Sequence, residues 1–187
     1  MNLSLNIILD QLRDLHLEPH STPPADKTFC RCALLPRDYA SMREDLIHIC
    51  RLSDALRASA VSPGKYYLCI RDRITDSIET EAALQGMVII NENMDIEWLL
   101  NRVQDIFDQI SEWYREIQNA LIHEKDLQTI LDVSEHVIGN TINISDSAFT
   151  LLACTRNIQT DDEISTALRT FGYHPESTLQ MFRRQHR

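Results

Sequence analysis

The chain has 187 residues, of which 43% are hydrophobic and 25% charged, as in an ordinary soluble protein of one or two domains. Its formal charge of -10 disfavours nucleic-acid binding, because attraction to phosphates requires a basic surface. Four glycines argue against glycine-rich phosphate loops, and an odd number of cysteines, five, indicates the reduced thiols of a cytoplasmic protein.

The first half of the chain alternates between segments with helical spacing and short apolar runs. Proline or glycine lies near several of the boundaries between these segments. The predicted elements in chain order are a helix at 3–16, a loop at Glu18–Asp26, a strand at Thr28–Leu35, a helix at Arg37–Ala60, a strand at Lys65–Arg71, a helix at Ser77–Leu84 and a strand at Met87–Asn91.

Strands that alternate with helices predict a small, mainly parallel sheet with right-handed crossovers, an α/β or α+β arrangement. Ligands of such sheets tend to bind at the carboxyl ends of the strands. The polar residues predicted there, candidates for a small anionic or polar ligand, are Arg37, Asp38, Arg71, Asp72, Arg73 and Asn91. The plainer interpretation, that these are ordinary polar loops, stays open.

The stretch Asp95–Asn140 carries the longest periodic pattern. No glycine or proline interrupts it before Gly139, so the sequence predicts one long helix that Asn93 or Asp95 caps. Apolar residues recur there in steps of four and three, which is typical of a seam between two helices. The stripe, interrupted at Glu124, consists of Leu99, Val103, Ile106, Ile110, Trp113, Ile117, Ala120, Leu127 and Leu131.

This stripe has two interpretations. The first is a homodimer interface, in which Trp113 is an anchor of the kind that interfaces favour. The second is the buried face of an ordinary amphipathic helix. A further set widens the apolar face and favours packing on the helix's own domain: Trp98, Leu100, Phe107, Tyr114 and Leu121.

After Gly139-Asn140 the pattern changes to a hairpin followed by helices. The predicted strands are Thr141–Ser145 and Phe149–Cys154, and the predicted helices are Asp161–Phe171 and Pro175–Arg184. A two-stranded hairpin is marginal alone. It therefore either completes the first sheet or, as we favour, begins a further domain.

Catalytic and metal-binding patterns were not found. No G-x-S-x-G motif accompanies the serines, and Cys30-x-Cys32 has no second Cys or His pair at zinc-ligand spacing. The seven histidines are scattered. The sequence therefore predicts no enzyme, no cofactor and no metal site, and the start of the chain resembles neither a signal peptide nor a membrane span.

The segment Leu131–Phe182, which contains VIGNTINISDSAFTLLACTRNI and GYHPESTLQMF, resembles the middle region of bacterial transcription regulators related to the PucR-like (purine-catabolism) family. Its hairpin is similar to the beginning of PAS- and GAF-like sensor domains. The resemblance implies an N-terminal α/β sensory region with a long helix, which Phe29–Gln118 would supply. It also implies a C-terminal helix-turn-helix, which this sequence lacks.

Together these observations predict a sensory domain at 1–92, a connecting and dimerisation helix at 93–138, and an incomplete PAS/GAF-like segment at 139–187. The leading hypothesis is a signal-sensing and dimerising region of a cytoplasmic transcription regulator. A small effector is a further expected partner, DNA would be bound only through a domain absent from this chain, and no membrane is expected. The alternatives are a stand-alone small-molecule-binding α/β domain, an uncharacterised enzyme, and a scaffold without a ligand.

Overall fold

The computed structural model describes residues 1–20, 27–72 and 82–174. The helices described are α1 (Leu5–Gln11), α2 (Leu52–Val61), α3 (Ile96–Ile122), α4 (Leu127–Ile138) and α5 (Glu163–Phe171). The strands described are β1 (Leu3–Ser4), β2 (Leu17–Pro19), β3 (Thr28–Phe29), β4 (Arg31–Leu34), β5 (Leu46–Arg51), β6 (Tyr66–Ile70), β7 (Met87–Ile90), β8 (Asn143–Ser145) and β9 (Leu151–Cys154). A short 3-10 helix lies at Tyr39–Ser41.

The chain divides into two compact units, Met1–Asp108 and Gln109–Arg187. The division falls inside α3, whereas the sequence predicts divisions after residues 92 and 138. α3 therefore belongs to both units, its first half to one and its second half to the other.

A five-stranded sheet forms the centre of the first unit, in the order β2-β7-β6-β5-β4. The strands β4, β5, β6 and β7 are parallel, and only β2 at the edge is antiparallel. The mainly parallel sheet is thus confirmed, with two strands more than the sequence predicts, β2 and β5, and an antiparallel edge.

Each face of the sheet has its own cover. The face that carries Cys50, Tyr67 and Ile89 packs against α2 in one apolar cluster. The opposite face carries Cys32, whose Sγ lies 3.8 Å from the Leu100 carbonyl oxygen of α3. Central strands that are covered on both faces have continuous apolar sequences, as β5, β6 and β7 do.

Two polar side chains are buried in the face that packs against α2. His48 is 1% exposed, and its Nε2 lies 3.2 Å from the Arg43 carbonyl oxygen. Tyr67 is 2% exposed, and its ring centroid lies 6.1 Å from that of His48. Burial is the main cause that lowers the pKa of His48 and raises the pKa of Tyr67 to about 12. Both side chains are therefore held neutral at pH 7.

The helix predicted at Arg37–Ala60 is wrong over its middle part. Leu46–Arg51 is the strand β5, and only Leu52–Val61 is a regular α-helix. Met42, Leu46, Ile49 and Leu52 do have helical spacing, but LIHIC is also an unbroken apolar run, which fits a strand covered on both faces.

Smaller differences occur nearby. α1 is shorter than the predicted helix at 3–16, because β1 precedes it and the chain turns after Gln11. The predicted loop at Glu18–Asp26 begins inside β2, and its residues 21–26 lie outside the described residues. The predicted strand at Thr28–Leu35 is divided at Cys30 into β3 and β4. Of the predicted helix at Ser77–Leu84, only 82–84 are described, as a turn.

The predicted single long helix is corrected to two helices, α3 and α4. Residues 123–126 separate them, and Glu124 adopts a left-handed φ of 49°. Asp126 then starts α4 by accepting a hydrogen bond from Thr129 N at 2.8 Å. The helix is thus interrupted by a left-handed residue and restarted by a polar N-cap, without glycine or proline. At the start of α3, Asp95 Oδ1 accepts a hydrogen bond from Glu97 N at 2.9 Å, as predicted for a cap.

In the second unit, hydrogen bonds from polar side chains of α4 connect this helix to the hairpin β8-β9 and to the residues that follow it. Gln128 of α4 pairs with both main-chain groups of Cys154, accepting from its N at 3.1 Å and donating to its O at 2.8 Å. Glu135 accepts hydrogen bonds from the main-chain N of Arg156 and from Asn157 Nδ2, the latter at 2.7 Å. The predicted hairpin and the helix at Asp161–Phe171 are confirmed, and Pro175–Arg184 lies outside the described residues.

Candidate functional site

An open cleft of about 640 Å³ lies at the carboxyl edge of the sheet in the first unit. This volume is in the range of small-molecule sites, roughly 300 to 1,000 Å³. Two of its lining residues end parallel strands, Leu34 in β4 and Arg51 in β5. The others belong to the loop after β7 and the first turn of α3: Asn93, Met94, Asp95, Ile96 and Glu97.

The charged groups of this cleft are not paired with each other. In residues 1–20, 27–72 and 82–174, the Arg51 guanidinium and the Glu97 carboxylate make no ion pair or side-chain hydrogen bond. Asp95 uses one oxygen to accept the hydrogen bond from Glu97 N. Other exposed arginines of the described residues also lack an ion pair, but Arg51 is an arginine that lines this cleft. It is therefore the first residue to examine for binding.

A second polar cluster lies further along the same edge, and its members satisfy one another. Arg71 Nε donates to Asn91 Oδ1 at 2.6 Å, and Arg71 NH2 donates to Glu18 Oε2 at 3.2 Å. Asn91 Nδ2 donates to the same Glu18 oxygen at 3.1 Å. The hydrogen bond from Asn91 is the main cause that holds the pKa of Glu18 below its usual range. This cluster ties β2 to β6 and β7.

The six predicted ligand residues are therefore distributed over several roles. Arg71 and Asn91 contact each other as part of that second cluster. Asp72 accepts a hydrogen bond from Ser53 Oγ at 2.5 Å, and Asp38 Oδ1 accepts from Ala40 N at 3.0 Å at the start of the 3-10 helix. Arg37 is exposed, and Arg73 lies outside the described residues. None of the five described residues lines the cleft.

The sequence does not indicate that Arg51 lines the cleft, because the predicted helix at Arg37–Ala60 runs through it. As a strand, LIHIC places Arg51 at its carboxyl end, where ligands of parallel sheets bind. For Asp95 the sequence indicates only a helix cap. Met94 and Glu97 carry no signal in the sequence that distinguishes them from other loop and helix residues.

A second cavity, of about 650 Å³, lies between the end of α2 and the residues that precede β6 and β7. Small or aliphatic residues such as Leu56, Ala60 and Ala83 line much of it. Its lysine, Lys65, already pairs with Glu44, with a distance of 3.1 Å from Nζ to Oε1. This cavity lies at the amino ends of the strands and offers less charged chemistry than the cleft at the carboxyl ends.

The predicted dimer seam lies mostly inside the chain. Its buried members, each 7% exposed or less, are Leu99, Val103, Ile106, Ile110, Ala120 and Leu131. Trp113 and Ile117 are half-buried, and Trp113 Nε1 donates a hydrogen bond to Ser134 Oγ at 3.0 Å. Leu127 alone is exposed, at 38%. The stripe is thus largely used by the core of a single chain.

The apolar residues of α3 that remain exposed lie beside this stripe or at the helix ends. Trp98 is 48% exposed and Tyr114 is 50% exposed, whereas Leu121 and Ile122 reach 59% and 73%. Leu121 and Ile122 lie in the last turn of α3, with Leu127 just beyond. An association of two copies through this helix would therefore have to use these side chains.

The described residues contain no group of three or more His, Cys, Asp or Glu side chains that could hold a metal ion. All five cysteines are free thiols. Cys50 and Cys69 are neighbours on adjacent strands, and burial is the main cause that raises the pKa of Cys69. In the part of the chain that is described, no helix is long and apolar enough to cross a membrane.

Comparison with known proteins gave no match: no family model, no characterised protein and no solved structure is similar to this chain at a significant level.

Proposed function

We propose that this chain is a signal-sensing region, in which the cleft of the first unit binds a small polar molecule and α3 carries the response. One observation supports this most directly: Asp95, Ile96 and Glu97 line the cleft, and Ile96 is also the first residue of α3. This helix of 27 residues continues without a break from the first unit into the second. A ligand in the cleft therefore touches the start of an element that both units share.

The response has a simple physical form. A ligand that contacts both Arg51 and the first turn of α3 would favour those positions of the helix in which the two sides of the cleft are correctly spaced. Such a ligand shifts the population of α3 only as far as it binds one position better than another. Because the helix is continuous, residues after Asp108 would respond as well.

The regulatory part of the proposal is supported by the resemblance of Leu131–Phe182 to PucR-like transcription regulators. We propose that the protein acts in the cytoplasm, and that DNA is contacted by a domain outside this sequence. The alternative, a stand-alone binding domain, is favoured by the burial of Leu99, Val103 and Ile106, since these residues serve the chain's own core. The two functions differ in whether ligand binding is felt beyond Asp108.

Hydrogen exchange with and without a bound small molecule distinguishes these functions. A sensing region should show slower or faster exchange in 109–122 when ligand binds, and the variant Arg51→Gln should lose that change. Ligand-dependent exchange confined to residues before 108 would instead favour the stand-alone binding domain. Arg57→Gln is a matched control, because Arg57 is exposed on α2 and does not line the cleft.

Homodimer formation through α3 remains part of the proposal, through its exposed side chains. If two copies associate there, Leu121→Glu should shift the sedimentation coefficient from dimer to monomer without loss of helical signal. Ile110→Glu is not a clean test, because Ile110 is 3% exposed and a buried charge would disturb the fold. A dimer that persists in Leu121→Glu would mean that another surface is used.

A further inference from the structure

The chemistry of the cleft at the carboxyl edge identifies the kind of molecule that it can hold. Its lining combines one guanidinium (Arg51), two carboxylates (Asp95 and Glu97), one amide (Asn93) and three apolar side chains (Leu34, Met94 and Ile96). We infer that the cleft takes a small zwitterion with an aliphatic portion, such as an amino acid. This inference rests on the proposed sensing function and specifies its ligand.

The positive charge of Arg51 and the negative charges of Asp95 and Glu97 together restrict the charge that a ligand can carry. A simple anion such as phosphate would gain from Arg51 but would meet the negative charges of Asp95 and Glu97. A simple cation would gain from these carboxylates but would meet Arg51. Repulsion of this kind excludes the wrong partner as effectively as attraction selects the right one. A molecule that carries both charges satisfies both sides.

Arg51 suits the carboxylate of such a ligand. The guanidinium presents its N–H donors in a planar fork that matches the two oxygens of a carboxylate. Within the described ranges, no other side chain of the chain uses these donors. Forming the complex would therefore not require an existing ion pair to break.

The ammonium group of the ligand has two acceptors on the other side. Glu97 has no side-chain partner within the ranges that are described. Asp95 accepts from Glu97 N through Oδ1 and has its second oxygen available. Both residues lie at the start of α3, so an ammonium bound there would join the ligand directly to that helix.

The apolar part of the lining accounts for an aliphatic portion. Leu34, the last residue of the edge strand β4, is 47% exposed. Met94 and Ile96 are half-buried beside it. Covering this surface removes apolar area from water, which contributes roughly 25 cal/mol for each Å². Purely polar zwitterions would leave that contribution unused.

Isothermal titration calorimetry with defined probes tests the inference. The zwitterionic probes are L-leucine and 6-aminohexanoate, which differ in the separation of their charges. N-acetyl-L-leucine lacks the ammonium group and L-leucinamide lacks the carboxylate. We expect at least one zwitterion to bind and the matching single-charge derivatives to bind about 10- to 100-fold more weakly, since each loses charge-assisted hydrogen bonds.

Variants assign the binding to the cleft. Arg51→Gln should weaken the binding of the zwitterion about 10-fold or more. Glu97→Gln should also weaken it, and this variant should lose more affinity for L-leucinamide, which carries only the ammonium charge, than for the zwitterion. Asp95→Asn keeps an oxygen for the Glu97 amide and so preserves the helix cap. Arg57→Gln should leave the affinity unchanged. If affinity does not depend on Arg51, the site lies elsewhere and the inference is wrong.

The outcomes separate this inference from the proposed function. If glutarate or phosphate binds in an Arg51-dependent manner and neither zwitterion does, the ligand class is wrong but the sensing function stands. If neither these probes nor a broad metabolite library raises the melting temperature of the protein, both fail, because a bound ligand must stabilise the folded state.

Discussion

The two units of this protein are stabilised in different ways. In the first unit, β5, β6 and β7 are buried on both faces, and residues such as Leu68 and Val88 are 1% exposed. In the second unit, aromatic and aliphatic side chains stay at the surface: Phe149, Leu152, Phe171 and Tyr173 are 38% to 59% exposed. This unit also buries apolar side chains such as Leu168, and polar side chains bonded to main-chain groups, such as Glu135 and Gln128, add to its stability.

This difference indicates which unit can bear a binding cleft. A parallel sheet that is covered on both faces fixes the positions of its strand ends, so Arg51 at the end of β5 has a rigid support. The second unit has a hairpin of two short strands, which hydrogen bonds from Gln128 and Glu135 connect to α4. We therefore expect the first unit to recognise the signal and the second to respond.

The largest expected effect comes from the core of the first unit. Leu68→Ala should lower the free energy of unfolding of that unit by about 2 to 5 kcal/mol, because it removes a buried side chain and leaves a cavity. The two tryptophans lie one in each unit, Trp98 in the first and Trp113 in the second, so fluorescence can follow each separately. In a Trp113→Phe background, urea unfolding reports the first unit alone.

The matched control for that variant lies in the second unit. Leu152 is 54% exposed, and Leu152→Ala should change stability by less than about 0.5 kcal/mol. It is measured with Trp113 as the reporter, in a Trp98→Phe background. A loss comparable to that of Leu68→Ala would mean that burial is not what makes the truncation of Leu68 costly.

Gly86 should be the next most sensitive position, for a reason specific to the first unit. Its φ is 82°, and a Cβ there would collide with the carbonyl oxygen of Lys65. Gly86→Ala should therefore cost more than about 1 kcal/mol. Gly64 has a similar φ of 77°, and a Cβ added there would meet no other atom within contact distance. Gly64→Ala therefore measures the backbone strain alone. Equal losses in the two variants would mean that the close approach contributes nothing.

The sequence predicts the first unit better where strands are bounded by strong signals. Pro63 and Gly64 precede β6, and Gly86 precedes β7, so both strands were placed within a residue or two. No such signal separates Arg43 from Arg51, and the run LIHIC satisfies helical spacing and strand burial equally. Because the sequence predicts a helix in place of β5, Arg51 is not among the predicted ligand residues. The ambiguous spacing of the apolar residues in LIHIC therefore affects the prediction of both the fold and the site.

The break between α3 and α4 could not be predicted from residue types that forbid helices. It arises at Glu124, which adopts a left-handed backbone, and at Asp126, which caps the next helix. Asp is common at both N-caps and exposed helix positions, so its role depends on the turn that precedes it. The apolar stripe was real, but its period alone does not distinguish a partner's helix from the chain's own core.

In the second unit, we expect Glu135 to contribute stability that depends on pH. Burial raises the pKa of Glu135, but hydrogen bonds from Arg156 N and from Asn157 outweigh it and hold the pKa below its usual value of 4.5. This stabilisation is complete above pH 4.5 and is lost as the pH falls through the lower folded-state pKa. Glu135→Gln should therefore lower stability at pH 7, with the deficit shrinking in acid.

The control for Glu135 is Asp132→Asn on the same helix. Asp132 is 39% exposed and forms an ion pair with Arg156 at 3.6 Å, a longer distance than that of the hydrogen bond from Asn157 Nδ2 to Glu135. The loss of the Asp132 charge should therefore lower stability less than the loss of the Glu135 charge. Both variants are measured with Trp113 as the reporter between pH 7 and pH 3. If the two variants lose the same stability at pH 7, Glu135 is an ordinary surface carboxylate.

The smallest expected effect is the response of the first unit to mild acid, through His48. Burial lowers the pKa of His48 below its usual value of 6.5, so the unfolded chain binds a proton more readily than the folded one. Between that value and the folded-state pKa, stability should therefore rise with pH and fall on acidification.

Comparing the unfolding free energy at pH 7.5 and pH 5.5 in a Trp113→Phe background should reveal this slope. His48→Gln should flatten it, whereas His123→Gln, in the second unit, should leave the slope of the first unit unchanged. Because Glu135 should respond only below pH 4.5, acid would weaken the first unit through His48 before it weakens the second through Glu135. The reverse order would mean that the neutral state of His48 is not what burial in the sheet enforces.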